Sequence, residues 1–206
     1  MKNIFKLSFL LLAVSTLAIS CADDEEMAPF KPQFFGQSFE DQTAGSGSAE
    51  VNIDIEGWIN VNTLGPRKWI CKIYDNNKYA EFSSFYSTTS TLNDEAWLIT
   101  SKIDFTTRVG ETLTFDLQTR FSNGAELKVL VSTDFDGTQA GIATATWVEK
   151  SYTLPTVDNV FVNCGFIDLS TVESNNVYIA FKYIGSKPGN KTTTFQLDKI
   201  KLFENK

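Results

Sequence analysis

From residue 34 to the C-terminus, apolar and polar residues alternate with a period of two, and no segment carries the apolar stripe of an amphipathic helix. Trp97, Ile99, Ile103 and Phe105 fall on one face of their run, and Thr100, Lys102 and Asp104 on the other. Leu113, Phe115 and Leu117 alternate with Thr114, Asp116 and Gln118, while Leu127, Val129 and Val131 form a similar row, as do Val177, Ile179, Phe181 and Tyr183. Such strands bury one face and must pack it against a second layer. Turn-forming residues separate them at Asn76-Asn77, Ser122-Asn123-Gly124, Asp136-Gly137, Ser174-Asn175-Asn176 and Pro188-Gly189-Asn190. The pattern predicts an all-β, antiparallel sandwich of about ten strands. No second domain and no internal repeat is evident.

The final strand breaks phase. Phe195 and Leu197 share one parity, whereas Ile200 and Leu202 share the other. A β-bulge near Leu197-Asp198 would reconcile them, and would turn Asp198 to the side of Ile200 and Leu202. An inward carboxylate needs a partner, because burying an unpaired charge is very costly.

Composition removes several function classes. With Lys+Arg 18 against Asp+Glu 25, the net charge is −7, the wrong sign for unassisted nucleic-acid binding. The chain has no histidine, which excludes histidine-based triads and histidine metal sites. Neither a Gly-x-Ser-x-Gly elbow nor a phosphate-binding loop occurs. A pair of acidic residues suits a glycosidase, but among 25 acids such a pair carries no information.

The N-terminus reads as an address. Lys2 and Lys6 precede an apolar run from Leu7 to Ile19. As a helix that run rises about 20 Å, short of a hydrocarbon core of about 30 Å but suited to a signal peptide. It closes with Leu17-Ala18-Ile19-Ser20-Cys21, which resembles a bacterial lipobox, with Ala18 departing from the usual leucine. The implied chemistry is lipid addition to the Cys21 thiol and cleavage before it, giving residues 1–20 as a lipoprotein signal peptide and an outer-membrane protein held by its lipid. Ala22-Asp23-Asp24-Glu25-Glu26 resembles the acidic export signal of Bacteroidota surface lipoproteins, which implies display at the cell surface; residues 21–33 read as an acylated, acidic, proline-containing tether. The folded domain then spans residues 34–206. Cys71 and Cys164 remain in a compartment that permits disulfides, and they read as two independent small buried residues rather than a bridge.

Several stretches carry a family likeness. They are Phe39-Glu40-Asp41, the run from Trp97 to Phe105, the run from Leu127 to Phe135, Gly165 to Ser170, Val177 to Tyr183, and Leu197-Asp198-Lys199-Ile200. In this order they resemble the choice-of-anchor J / DUF5017-type domains of Bacteroidota surface lipoproteins, over about residues 34–204. That resemblance implies a jelly-roll β-sandwich, related in layout to MAM-like and galactose-binding-like domains, with a non-catalytic adhesive or carbohydrate-associated role. It also implies one structural Ca²⁺ between the first and last strands, at Glu40 and Asp198 with Asp41 nearby; oxygen ligands of this kind suit calcium. Hydrogen bonding of the same carboxylates to backbone amides or lysine is the alternative. Asp134-Phe135-Asp136-Gly137 begins like a calcium loop but lacks the closing acid, so it reads as a surface turn.

For a polysaccharide ligand, the candidates are tryptophans beside amides and charges: Trp58 with Asn60 and Asn62, Trp69 with Arg67, and Trp147 with Glu149 and Tyr152. Trp58 is the preferred exposed ring, because it lies between Gly57 and a polar run, whereas Trp97 reads as core. The alternative role is a structural or protein-interacting subunit of a surface complex, and a hydrolase ranks third.

Overall fold

A computed structural model of the chain describes residues 31–87 and 93–205. The expected signal peptide, Cys21 and the acidic run of the tether lie outside the described residues. Among the described residues thirteen strands form two antiparallel sheets, with two short 3₁₀ turns, Ser84–Tyr86 and Ala140–Ala143, between them in sequence. The larger sheet contains β1 (Gln33–Gln37), β2 (Val51–Asn52), β4 (Ile70–Tyr74), β5 (Asn77–Phe82), β7 (Thr112–Arg120), β10 (Val162–Asn163), β11 (Ile167–Asp168) and β13 (Thr194–Phe203). Its main order is β10-β7-β13-β5-β4-β2, with β1 on β13 and β11 on β7. The smaller sheet, in order, is β3 (Ile59–Leu64), β6 (Asp94–Ile99), β12 (Tyr178–Gly185), β8 (Glu126–Ser132) and β9 (Val148–Lys150). The expected jelly-roll sandwich is the fold; the strands beyond ten are two- and three-residue pieces too short to show alternation.

The rows read from Leu113–Leu117, Leu127–Val131 and Val177–Tyr183 do line the space between the sheets. The run from Trp97 to Phe105 does not stay on one face. β6 ends at Ile99, and the chain re-enters the sheet only at the Ile103–Val177 bridge. That break resets the parity. Ile103 and Phe105 join Ala96 and Leu98 in the inter-sheet core, while Trp97 and Ile99 point to the outer side of the smaller sheet. There Trp97, Phe135, Ile142 and Tyr178 form a second apolar cluster.

The bulge in β13 lies one step further on than the sequence suggests. Asp198 stays in register with Asp116, and the shift falls between Asp198 and Lys201. The extra residue is Lys199, with φ of 46°. Asp198 therefore keeps the outward parity opposite to Leu197, and only Ile200 and Leu202 return to the core. The expected inward carboxylate is corrected to an outer-face one, although it is still buried. In the β4–β5 hairpin the left-handed turn residues are Asp75 and Asn76 rather than Asn76 and Asn77. Cys71 and Cys164 are free and buried, and burial raises their pKa values to about 11 and about 12.

The two ends of the sandwich differ in what they hold. Gln33 pairs with Phe203, and Glu204 N donates to Pro32 O at 3.1 Å, so the chain enters the sandwich where β13 finishes. At the opposite end of β13, Thr194 pairs with Arg120, beside Phe121.

Candidate functional site

Alternation places one polar row after another on the outer face of the larger sheet. The register sets Gln118, Gln196 and Glu81 side by side across β7, β13 and β5, and Asp116 beside Asp198 in the next row. Gln118 Nε2 donates to Gln196 Oε1, and Gln196 Nε2 donates to Glu81 Oε2 at 2.6 Å. This amide ladder is held before any ligand arrives. Asn163 Nδ2 donates to Asp116 Oδ1 at 3.1 Å, and Lys199 Nζ pairs with Asp116 Oδ2 at 3.3 Å.

Two adjoining depressions lie over this floor. One, of about 500 Å³, runs from Phe161 past Gln118, Gln196 and Asp198 to Tyr74. The other, of about 490 Å³, lies toward Tyr86, Phe121 and Glu50. Both are within the range of small-ligand sites. Tyr74, Tyr79 and Arg120 belong to both and form their common wall. Tyr74 is 77% exposed and Phe121 70%, unusual for large rings and available for contact. Tyr79 packs on Phe161 at 5.7 Å, and burial, with Glu81 nearby, pushes its hydroxyl up to about 12, so it stays a neutral donor. Arg120 Nε donates to Asn159 Oδ1 at 3.1 Å, and its guanidinium lies 5.4 Å from the Phe121 ring.

The backbone around these depressions is unusual. Among the described residues, seven non-glycines have positive φ, and four of them, Asp75, Phe121, Asn159 and Lys199, line this region. Left-handed backbone is costly for a residue with a Cβ and collects where side chains must be aimed.

Asp198 sits in the floor. Asn77 Nδ2 donates to its Oδ2 at 3.1 Å and Lys199 N to its Oδ1 at 2.6 Å. Burial raises its pKa; those two donors and the Lys199 charge pull it down, and Asp116 pushes it up again, with the net shift upward. Glu40, in the segment after β1, accepts at 3.0 Å from the backbone N of Lys78, the residue next to Asn77 on β5. Asp41 is exposed beside it. Among the described residues no group of three or more histidine, cysteine or acidic side chains converges as a metal cage would.

The tryptophan candidates are not brought together. Trp69 is fully buried against Phe82, with Nε1 donating to Ala96 O at 3.4 Å, so it cannot meet a ligand. Trp147 packs on Trp97 at 5.3 Å and Phe135 at 5.2 Å, and serves the second apolar cluster rather than a sugar face. Trp58, expected to be exposed, is half-buried, stacked on Phe35 at 6.2 Å and edge-on to Phe39, and with Asn60 it lines a separate depression of about 560 Å³. Asn60 is consumed as a clamp: Nδ2 donates to Ile53 O and Trp69 O, and Oδ1 accepts from Trp69 N. Glu149 pairs with Lys128 at 2.9 Å. The Asp134–Gly137 stretch is a turn, as expected, with Asp136 Oδ1 accepting from Thr138 N at 2.8 Å. Tyr74, Arg120, Phe121 and Phe161 went unnoticed in the sequence. Their signal was the outward parity shared by Asp116, Gln118, Arg120 and Gln196.

Together these features define a jelly-roll domain with a ligand-sized, aromatic-walled polar face. The chain belongs to the family described as Domain of unknown function (DUF5017), whose model matches residues 77–204. The match begins later than the expected residue 34, and so leaves out β1 to β4. No curated protein matches the chain in sequence. Among solved structures, the K1 cleaved adhesin domain of Lys-gingipain from Porphyromonas gingivalis W83 is similar at 17% identity and TM-score 0.53, over 84% of this chain and 98% of its own. The K3 cleaved adhesin domain of the same protein is similar at 13% identity and TM-score 0.55, over 84% and 99%. These likenesses are of fold.

Proposed function

We propose that this protein is a non-catalytic, surface-displayed binding module that takes carbohydrate in the depressions on the outer face of its larger sheet. One observation carries the reading: exposed or half-exposed aromatic rings (Tyr74, Phe121, Phe161) stand over a floor of amide and carboxylate side chains. Sugars offer an apolar ring face to the first and a fringe of hydroxyls to the second, and amides serve hydroxyls as both donor and acceptor. The similarity of fold to adhesin domains supports a binding role in adhesion. The floor carboxylates are engaged rather than presented as acid or nucleophile: Asp198 and Asp116 accept from Asn77, Lys199 and Asn163, and Glu81 accepts from Gln196. That supports a module without catalysis. Anchorage follows from the Cys21 reading, and the polarity of the sandwich suits it: the tether enters at one end of β13, and Phe121 lies at the other.

Glycan-array binding followed by Tyr74→Ala tests the ligand reading. Binding should fall about tenfold or more with Tm unchanged, because Tyr74 is exposed and its ring makes no core contact. An array with no signal, or one that Tyr74→Ala leaves untouched, would remove it. Labelled palmitate should enter the protein and fail to enter Cys21→Ala, and the substituted protein should leave the membrane fraction.

A further inference from the structure

Resting on that reading, we infer that the two depressions form one track, which holds an internal stretch of an uncharged, unbranched polysaccharide with a sugar subsite in each depression and Tyr74 lining both. The depressions share three residues and together open along the sheet rather than as a closed pit. Along the strands the two depressions extend from Asp198 to Thr194 of β13, about 14 Å at the usual rise per residue, which is a few sugar rings in line. Each half has its own aromatic, Phe161 in one and Phe121 in the other, both on the β7 side of the sheet, and Tyr74 on the β4 side lines the two halves alike. A site for a chain end would need only one such half.

The charge of the track selects the polymer. Its cations are Lys72, Arg120 and Lys199, and its carboxylates are Glu50, Asp75, Glu81 and Asp198. Each cation has a fixed place: Lys72 Nζ donates to Gly47 O and Ala49 O at 2.6 and 2.8 Å, Lys199 pairs with Asp116, and Arg120 Nε donates to Asn159 with its guanidinium beside Phe121. With Glu50 paired to Arg67 at 2.6 Å and Lys199 to Asp116, a uronate or sulfate would still meet Asp75, Glu81 and Asp198 against only Lys72 and Arg120, in a chain of net charge −7. Repulsion of this kind works as discrimination between otherwise similar ligands. Hydroxyls suit the Gln118–Gln196–Glu81 ladder without that penalty.

The test is calorimetric titration of the protein with soluble neutral polymers (a β-glucan, a mannan, a galactan and a xylan) and with two acidic ones, polygalacturonate and alginate. Size-graded oligosaccharides of the tightest neutral binder follow. Affinity should climb from disaccharide to about tetrasaccharide or pentasaccharide and then level, with both acidic polymers at least about tenfold weaker. Phe161→Ala and Phe121→Ala should each weaken the long oligosaccharide about three- to tenfold, by effects that add, since the rings serve separate subsites. A disaccharide that binds as tightly as the polymer, or an acidic polymer that binds best, overturns this inference and leaves carbohydrate binding standing. Equal binding by both phenylalanine variants, shown folded by their melting curves, overturns the placement of the track. No binding to any polymer overturns the functional reading as well.

Discussion

Asn77 Nδ2 donates to Asp198 Oδ2 at 3.1 Å across neighbouring strands of the larger sheet. With the Lys199 amide, this bond is what keeps a buried carboxylate satisfied. The compensation is incomplete, because burial dominates and the pKa of Asp198 stands above its ordinary value. The folded protein therefore holds this proton more tightly than the unfolded chain does. Stability contributed by Asp198 is fully present below the unfolded value of about 3.9, and it is lost as pH rises from there through the raised folded value. Asp198→Asn removes the titration, and Asn77 can turn its amide to accept from the new side chain. Relative to the parent, the variant should gain in Tm from acid toward neutral pH, then stay level. A Tm difference that is the same at every pH would show that Asp198 is not shifted.

Trp147 and Trp58 should behave as structural residues. Trp147 closes the cluster of Trp97, Phe135 and Tyr178 on the outer side of the smaller sheet, and Trp58 stacks on Phe35. Each is half-buried, so Trp147→Ala and Trp58→Ala should each cost about 2–4 kcal/mol in urea unfolding, toward the lower end of large-to-small core changes. Glycan affinity of the folded variants should match the parent. A variant with unchanged stability and lost binding would return that tryptophan to the ligand site.

How legible this was depended on which side of a strand a residue falls. Alternation in β7, β8 and β12 named the inner rows correctly, because each of those strands is long and unbroken. It misplaced Trp97 and Ile99, since nothing local in Thr100-Ser101-Lys102 announces that the strand stops and re-enters with its parity reset. The change of phase in β13 was visible, but the residue absorbing it was not: a bulge at Lys199 and one at Leu197-Asp198 leave the same apolar pattern and differ only in where Asp198 points. The depressions on the larger sheet were illegible for a related reason. Tryptophan draws attention as a sugar platform, yet its size makes it the first residue a core recruits. The track is assembled instead from single residues on strands far apart in sequence, such as Tyr79, Gln118 and Gln196, and only strand order makes them neighbours.

The two thiols should be silent in the native protein. Burial holds Cys71 at about 11 and Cys164 at about 12. At pH 8 the thiolate fraction is then about one in a thousand or less, and thiolate is the reactive form. A chromogenic disulfide reagent should leave both untouched in buffer and titrate both in denaturant. Reaction at the native rate of a free thiol would mean that one of them opens to solvent.

Lys199 occupies the bulge with φ of 46°, where a Cβ is crowded and glycine is at ease. Its charge pairs with Asp116 at 3.3 Å, but the lysine side chain is half exposed, and exposed pairs contribute little. The backbone gain should therefore exceed the loss of the pair. Lys199→Gly is expected to raise the unfolding free energy by roughly 0.5–1 kcal/mol, with the urea m-value unchanged. Phase in β13 would be kept, because Leu197 and Ile200 still fill the core on either side of the bulge. If the variant were less stable than the parent, the Lys199–Asp116 pair would outweigh the backbone gain, and the bulge would owe its form to that charge.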